Sequence, residues 1–149
     1  MRLAYLVVGC LPVLGQTSGI SSVTKSPGEQ VTLEIAANSQ PKRAPVALHW
    51  DVIFPAQLME MEGDAEVGSE AMNSGKSLQC RPKNPYSLGC VLSGGQNPIA
   101  DGQIAIFHFR IRTTAAAGTT AFRIERAVAT TVDSKLLSLD GTQAIVTIR

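Results

Sequence analysis

Apolar and polar residues alternate with a period of two from Ile20 onward, the spacing of β-strands that bury one face. Val31, Leu33 and Ile35 alternate with Thr32 and Glu34, and Val46, Leu48, Trp50, Val52 and Phe54 share an inner face opposite Ala47, His49 and Asp51. Ala105, Phe107, Phe109 and Ile111 repeat the pattern against His108, Arg110 and Arg112. Phe122, Ile124 and Val128 are expected inward beside Arg123 and Glu125, and Ala144, Val146 and Ile148 form the last strand. Turn chemistry separates the runs: Ser26-Pro27-Gly28, Gln40-Pro41-Lys42, Gly94-Gly95-Gln96-Asn97-Pro98, Asp101-Gly102 and Asp140-Gly141. Residues 66–74 suit a single helical turn, and no long amphipathic helix is present. The pattern predicts about nine short strands in one all-β sandwich domain.

Two cysteines fall in this region. Cys80 and Cys90 lie in short strand-like runs at 77–81 and 87–93, joined by Arg81-Pro82-Lys83-Asn84-Pro85-Tyr86. Two prolines and an asparagine turn the chain there, which sets the runs side by side and predicts a cross-strand disulfide. The alternative is a thiol site. A metal centre would need more ligands, and the only histidines, His49 and His108, lie on distant strands, so no metal or cofactor is expected.

At 149 residues the chain has the size of one domain with a single core. With 44% hydrophobic and 17% charged residues it is too apolar to remain disordered. Thirteen Lys and Arg against twelve Asp and Glu give a net charge of +1 without a basic stripe, which excludes nucleic acid as a partner class.

The first residues differ in kind. Arg2 precedes an uncharged apolar run from Leu3 to Leu14. That run is shorter than the roughly 20 residues of a membrane-spanning helix and has the length of a signal-peptide core. Val13-Leu14-Gly15 has the small-residue spacing of a cleavage site, so residues 1–19 are expected to be a secretory leader and 20–149 the sandwich. Val7-Val8-Gly9-Cys10 also resembles a bacterial lipobox; on that reading Cys10 is lipidated and the protein is membrane-anchored. A buried N-terminal strand is the third reading. Export, and an even cysteine count after leader removal, agree with a disulfide.

The order of motifs resembles that of cohesin domains. Ser26-Pro27-Gly28-Glu29-Gln30-Val31-Thr32-Leu33 is similar to their opening strand, and Val46 to Pro55 to their third, followed by the short strand Gln57-Leu58-Met59. Ile99 to Phe109 resembles their "dG-x-la-x-l-x-F" strand, and Asp140-Gly141 with Ile145-Val146-Thr147-Ile148 their closing strand. The resemblance covers about Ile20 to Arg149 and implies a nine-stranded jelly-roll sandwich, in the superfamily of the family 2 and family 3 carbohydrate-binding modules. It also implies that the strands carrying Cys80 and Cys90 are neighbours, although the bridge itself departs from the clostridial cohesin pattern.

Three functional classes follow. Catalysis finds no support: Glu34, Asp51, Asp64, Asp101 and Glu125 are scattered, and no nucleophile–base signature appears. Glu60, Glu62, Asp64 and Glu66 could hold calcium but read better as the acidic face of an edge strand. Polysaccharide binding, and a part in polysaccharide breakdown, would need exposed aromatic rings. Trp50, Phe54, Phe107, Phe109 and Phe122 all read inward, which leaves Tyr86 on the loop between the cysteines. A protein partner of the dockerin kind, met outside a bacterial cell or at its surface, is the reading the resemblance implies. The face it implies carries His49, Asp51, Arg123 and Glu125.

Overall fold

Wherever the period-two pattern runs, the chain forms strands, and the computed structural model describes residues 2–8, 21–38, 45–139 and 141–149. Cys10, the cleavage pattern at 13–15, the turn at 40–42 and Asp140 lie outside those residues. In chain order the elements are β1 (Arg2–Val8), β2 (Ser21–Lys25), β3 (Gln30–Asn38), β4 (Pro45–Ile53), β5 (Met59–Met61), β6 (Glu66–Val67), α1 (Ser69–Asn73), β7 (Ser77–Asn84), β8 (Ser87–Ser93), β9 (Gly102–Ile111), β10 (Gly118–Thr131), β11 (Leu136–Leu139) and β12 (Thr142–Ile148). The described strands number twelve rather than nine. β6 and β11 have two and four residues, too few to display an alternation, and β1 lies in the run read as a leader core.

Two sheets make a jelly-roll sandwich. One runs β1-β3-β9-β5 with β6 also on β9, and the other runs β2-β12-β10-β4-β8-β7 with β11 also on β10. β2 pairs parallel with β12, from Ala144↔Ser21 to Ile148↔Lys25, so the beginning and end of the domain lie side by side. β1 pairs antiparallel with β3, from Arg2↔Asn38 to Val8↔Leu33. That pairing belongs to the chain that retains these residues.

The inner faces supply the core. Leu33 and Ile35 of β3, Trp50 and Val52 of β4, Phe107, Phe109 and Ile111 of β9, and Phe122 and Ile124 of β10 are fully buried. Phe109 bridges the sheets: its ring centroid lies 4.7 Å from Phe122 at a tilt of 47° and 5.3 Å from Phe54 at 46°. Tilted aromatic pairs at such distances add to the burial term. Trp50 is thus a core residue, as its position among Leu48 and Val52 predicts.

α1 fills the expected helical turn. It starts at Gly68, whose N–H donates to the Ile104 carbonyl at 2.9 Å. A Cβ at Gly68 would stand 2.5 Å from the Gln103 carbonyl group, so only glycine lets the chain approach β9 this closely.

One inward assignment is corrected. Val128 does not join Phe122 and Ile124 on the inner face. The β10–β4 register shifts between Glu125 and Val128, at Arg126, whose φ is 51°. This extra residue is a β-bulge and flips the alternation, so Ala127 and Ala129 are buried and Val128 sits opposite the exposed His49.

Candidate docking face

The outer face of the seven-stranded sheet follows from its registers. Trp50 and Val52 are fully buried, so the intervening His49, Asp51 and Ile53 take the other side of β4. Pairing carries that side across the sheet in rows. One row is Gln79, Val91, His49 and Val128; the next is Arg81, Gly89, Asp51 and Glu125; the third is Ser87, Ile53, Arg123 and Gln143. The first row is the most apolar, with Val91 43% exposed in its middle.

In the second row an ion pair spans three strands. Lys83 of β7 reaches across β8 and places Nζ 2.9 Å from Asp51 Oδ2 on β4. Gly89, between them, makes this possible: a Cβ there would lie 3.1 Å from Lys83 Cδ and 3.6 Å from Asp51 Oδ1. Glycine leaves a trough for the lysine stem, and the stem covers the carboxylate. Asp51 is therefore buried although it belongs to an outer face, its residue exposure only 3%. Among the described residues Oδ1 has no hydrogen-bond partner, and neither does the buried indole Nε1 of Trp50. Beside this pair, Arg123 Nη1 lies 3.3 Å from Glu125 Oε1. The face thus has a row in which Val91 and Val128 flank His49, next to two internally neutralised pairs.

The hairpin that presents Lys83 is tied by the Cys80–Cys90 disulfide, with Cα atoms 4.1 Å apart and the two residues directly paired between β7 and β8. Tyr86 sits in its turn, 52% exposed, and its carbonyl accepts the Phe54 N–H at 3.0 Å.

The opposite sheet's outer face is laced by ion pairs. Glu60 meets Arg112 at 3.3 Å, Glu62 bonds Arg110 and Gln30, and Glu66 approaches His108 at 3.6 Å. The Arg110 guanidinium beside Glu62 holds its carboxyl below the ordinary carboxylate range. Glu60, Glu62 and Glu66 of the acidic alternation therefore face His108 and Arg110 of β9 and Arg112 just beyond it, whereas Asp64 lines a cavity beside β7. Among the described residues no group of three or more His, Cys, Asp or Glu could hold a metal ion.

Solved structures that superpose on this chain include several cohesin modules. The sixth cohesin of scaffoldin B from Acetivibrio cellulolyticus, solved with a Cel5 dockerin, superposes with a TM-score of 0.72 at 16% identity, over 97% of each chain. The OlpA cohesin of Clostridium thermocellum, also solved with a dockerin, gives 0.73 at 14%, over 87% of this chain and 96% of that one. A non-cellulosomal cohesin from the archaeon Archaeoglobus fulgidus gives 0.70 at 14%, over 97% and 89%. This chain has the cohesin fold. No protein-family model and no curated protein sequence matches it.

Within this cohesin fold, the strands bring His49, Asp51, Arg123 and Glu125 onto one face, with Tyr86 at its hairpin end. The disulfide pairs the predicted cysteines. Lys83, Gly89 and Val91 complete the face and escape the sequence reading, and Val128 joins it against its inward assignment. Counting outward from a Cys80–Cys90 pair would place Gly89 opposite Arg81, but nothing in the sequence fixes β8 against β4.

Proposed function

We propose that this cohesin-fold chain is a non-catalytic binding module that holds a protein partner on the outer face of its seven-stranded sheet. The observation that carries the reading is the row Val91, His49 and Val128 beside the Lys83–Asp51 and Arg123–Glu125 pairs. A centre of two valines around one histidine, with neutralised charges beside it, can be desolvated at lower cost than a field of unpaired charge. Two of the structural neighbours described above were solved with dockerins, which supports a protein partner of that kind.

Polysaccharide remains the second class of partner. Against it, Trp50, Phe107, Phe109 and Phe122 are fully buried and Phe54 packs on Phe109, so of the Phe, Tyr and Trp rings among the described residues from 22 onward only that of Tyr86 is exposed. We further propose that the module acts outside a bacterial cell, in solution or lipid-anchored through Cys10. The apolar run at 3–14 and a disulfide that persists in oxidising compartments support export. An intact mass of the exported protein separates cleavage near residue 16 from lipidation at Cys10.

The partner class is tested by a pull-down of residues 20–149 from the secreted proteome of the source cell, beside a glycan array. A protein captured by the wild type, with an empty array, is the expected result. A glycan hit abolished by Tyr86→Ala would overturn the reading.

A further inference from the structure

A second binding place lies along the free edge of β7. Residues 78–82 line one wall of a cavity of 410 Å³, and Met61, Gly63, Asp64 and Ala65, from β5 and its connection to β6, line the other. Successive strand residues point to opposite faces, so five consecutive residues can border one space only if it runs along the strand's edge. β7 is the last strand of its sheet, and among the described strands none pairs with that edge, although β6 comes near it.

The backbone chemistry of the edge follows from the disulfide pair. Cys80 and Cys90 face each other with Cα atoms 4.1 Å apart, the narrow spacing of a pair that exchanges no hydrogen bonds. The N–H and C=O of Cys80 therefore point away from β8, toward the cavity, and the two-residue repeat aims those of Leu78 the same way. Among the described backbone hydrogen bonds outside the strand ladders, none engages these groups. Two donors and two acceptors thus stand in a row with a strand's repeat of about 6.8 Å. Pro82, lacking an N–H, ends the row. Such an edge commonly accepts another strand unless something blocks it.

We infer that this slot takes an extended peptide segment of a partner protein, added as a short strand to β7, with one apolar residue inward and acidic residues beside it. The inward position rests on Met61, Leu78 and Leu88, which supply the apolar lining. On the outer face Arg81 is exposed and takes part in none of the described ion pairs, which selects an acidic neighbour on its side of the new pair, away from Asp64 on the opposite wall. The donor spacing selects a peptide rather than a compact small molecule. The slot continues the sheet proposed for docking and shares Arg81 with its outer face, while its backbone and apolar contacts belong to the edge of β7.

The test uses the acetylated, amidated peptide Glu-Val-Glu-Val-Glu-Val-Glu with amide hydrogen exchange as readout. At ten times its Kd, exchange at Leu78 and Cys80 is expected to slow by roughly tenfold. A version with N-methylated valines should not slow it, and Ala65→Phe, which fills the cavity, should abolish the effect. Should Ala65→Phe fail to fold, Arg81→Glu, an exposed change, is expected to weaken binding roughly fivefold. The proposal is overturned by unchanged exchange at millimolar peptide, by equal slowing with the N-methylated peptide, or by full binding to the Arg81→Glu protein. Loss of the protein partner in Val91→Arg with this peptide still bound would sever the two sites, and neither result stands in for the other.

Discussion

Lys83→Met removes the ammonium from Asp51 while keeping much of the stem in the Gly89 trough. The pair is 2.9 Å long, and the side chains of Lys83 and Asp51 are 42% and 5% exposed. At that distance the attraction is about 1.4 kcal/mol with the dielectric of water and about 6 kcal/mol at an effective constant of 20. The exposure of Lys83 puts the real value toward the lower end, because solvent screens the cation. Deleting one partner of a fully buried pair costs roughly 3–5 kcal/mol through the charge left behind. Here, water reaches Asp51 once the ammonium is gone, so a loss of about 2 kcal/mol is expected. Asp51→Asn alone should cost about 1 kcal/mol, and the double variant should fall short of the sum by about 1 kcal/mol. Trp50 is the only tryptophan and is fully buried, so its fluorescence reports urea unfolding directly. With a urea dependence of about 2 kcal/mol per molar, Lys83→Met should lower the midpoint by roughly 1 M. A midpoint within about 0.25 M of the wild type, or strict additivity in the double variant, would refute the claim that Lys83 compensates Asp51.

Other consequences are tested on the same purified protein. Replacing Cys80 and Cys90 together by Ala should cost about 2–3 kcal/mol in urea, the chain-entropy value for so short a loop, and a loss near zero would mean the hairpin holds itself. Gly68→Ala should cost roughly 1–3 kcal/mol and lower the Tm accordingly, since its Cβ would overlap the Gln103 backbone at 2.5 Å. The lowered pKa of Glu62 works in one direction. Its stabilising contribution is complete above the ordinary value of 4.5 and is lost as pH falls through the lower folded value. Glu62→Gln should therefore flatten the acid limb of a stability–pH curve below 4.5 and leave the neutral region's slope unchanged.

Much of the sandwich is legible in the sequence because a half-buried strand must alternate. Val31, Leu33 and Ile35, or Phe107, Phe109 and Ile111, state their inner face without help from the rest of the chain. Val128 shows the limit. One residue in a left-handed conformation at Arg126 reverses the face of everything after it, and no local signal announces a bulge at an arginine. The docking face is legible only by halves. His49, Asp51, Arg123 and Glu125 follow from alternation, whereas Lys83 acts on Asp51 from a separation of 32 residues. That contact depends on the β7–β8–β4 registers and on a missing side chain at Gly89, both products of tertiary pairing. Edge strands as short as β6 carry too few residues for any period to show.

The central claim is that a protein partner docks on the outer face of the seven-stranded sheet. The most direct measurement compares capture of the partner by three proteins: wild type, Val91→Arg at the centre of that face, and Ile106→Lys on the outer face of the other sheet. Wild type and Ile106→Lys should capture the partner equally, while Val91→Arg should lose about tenfold or more in affinity, the effect of an unpaired charge set into an interface core. Equal capture by Val91→Arg and wild type, or loss in Ile106→Lys alone, would contradict the account.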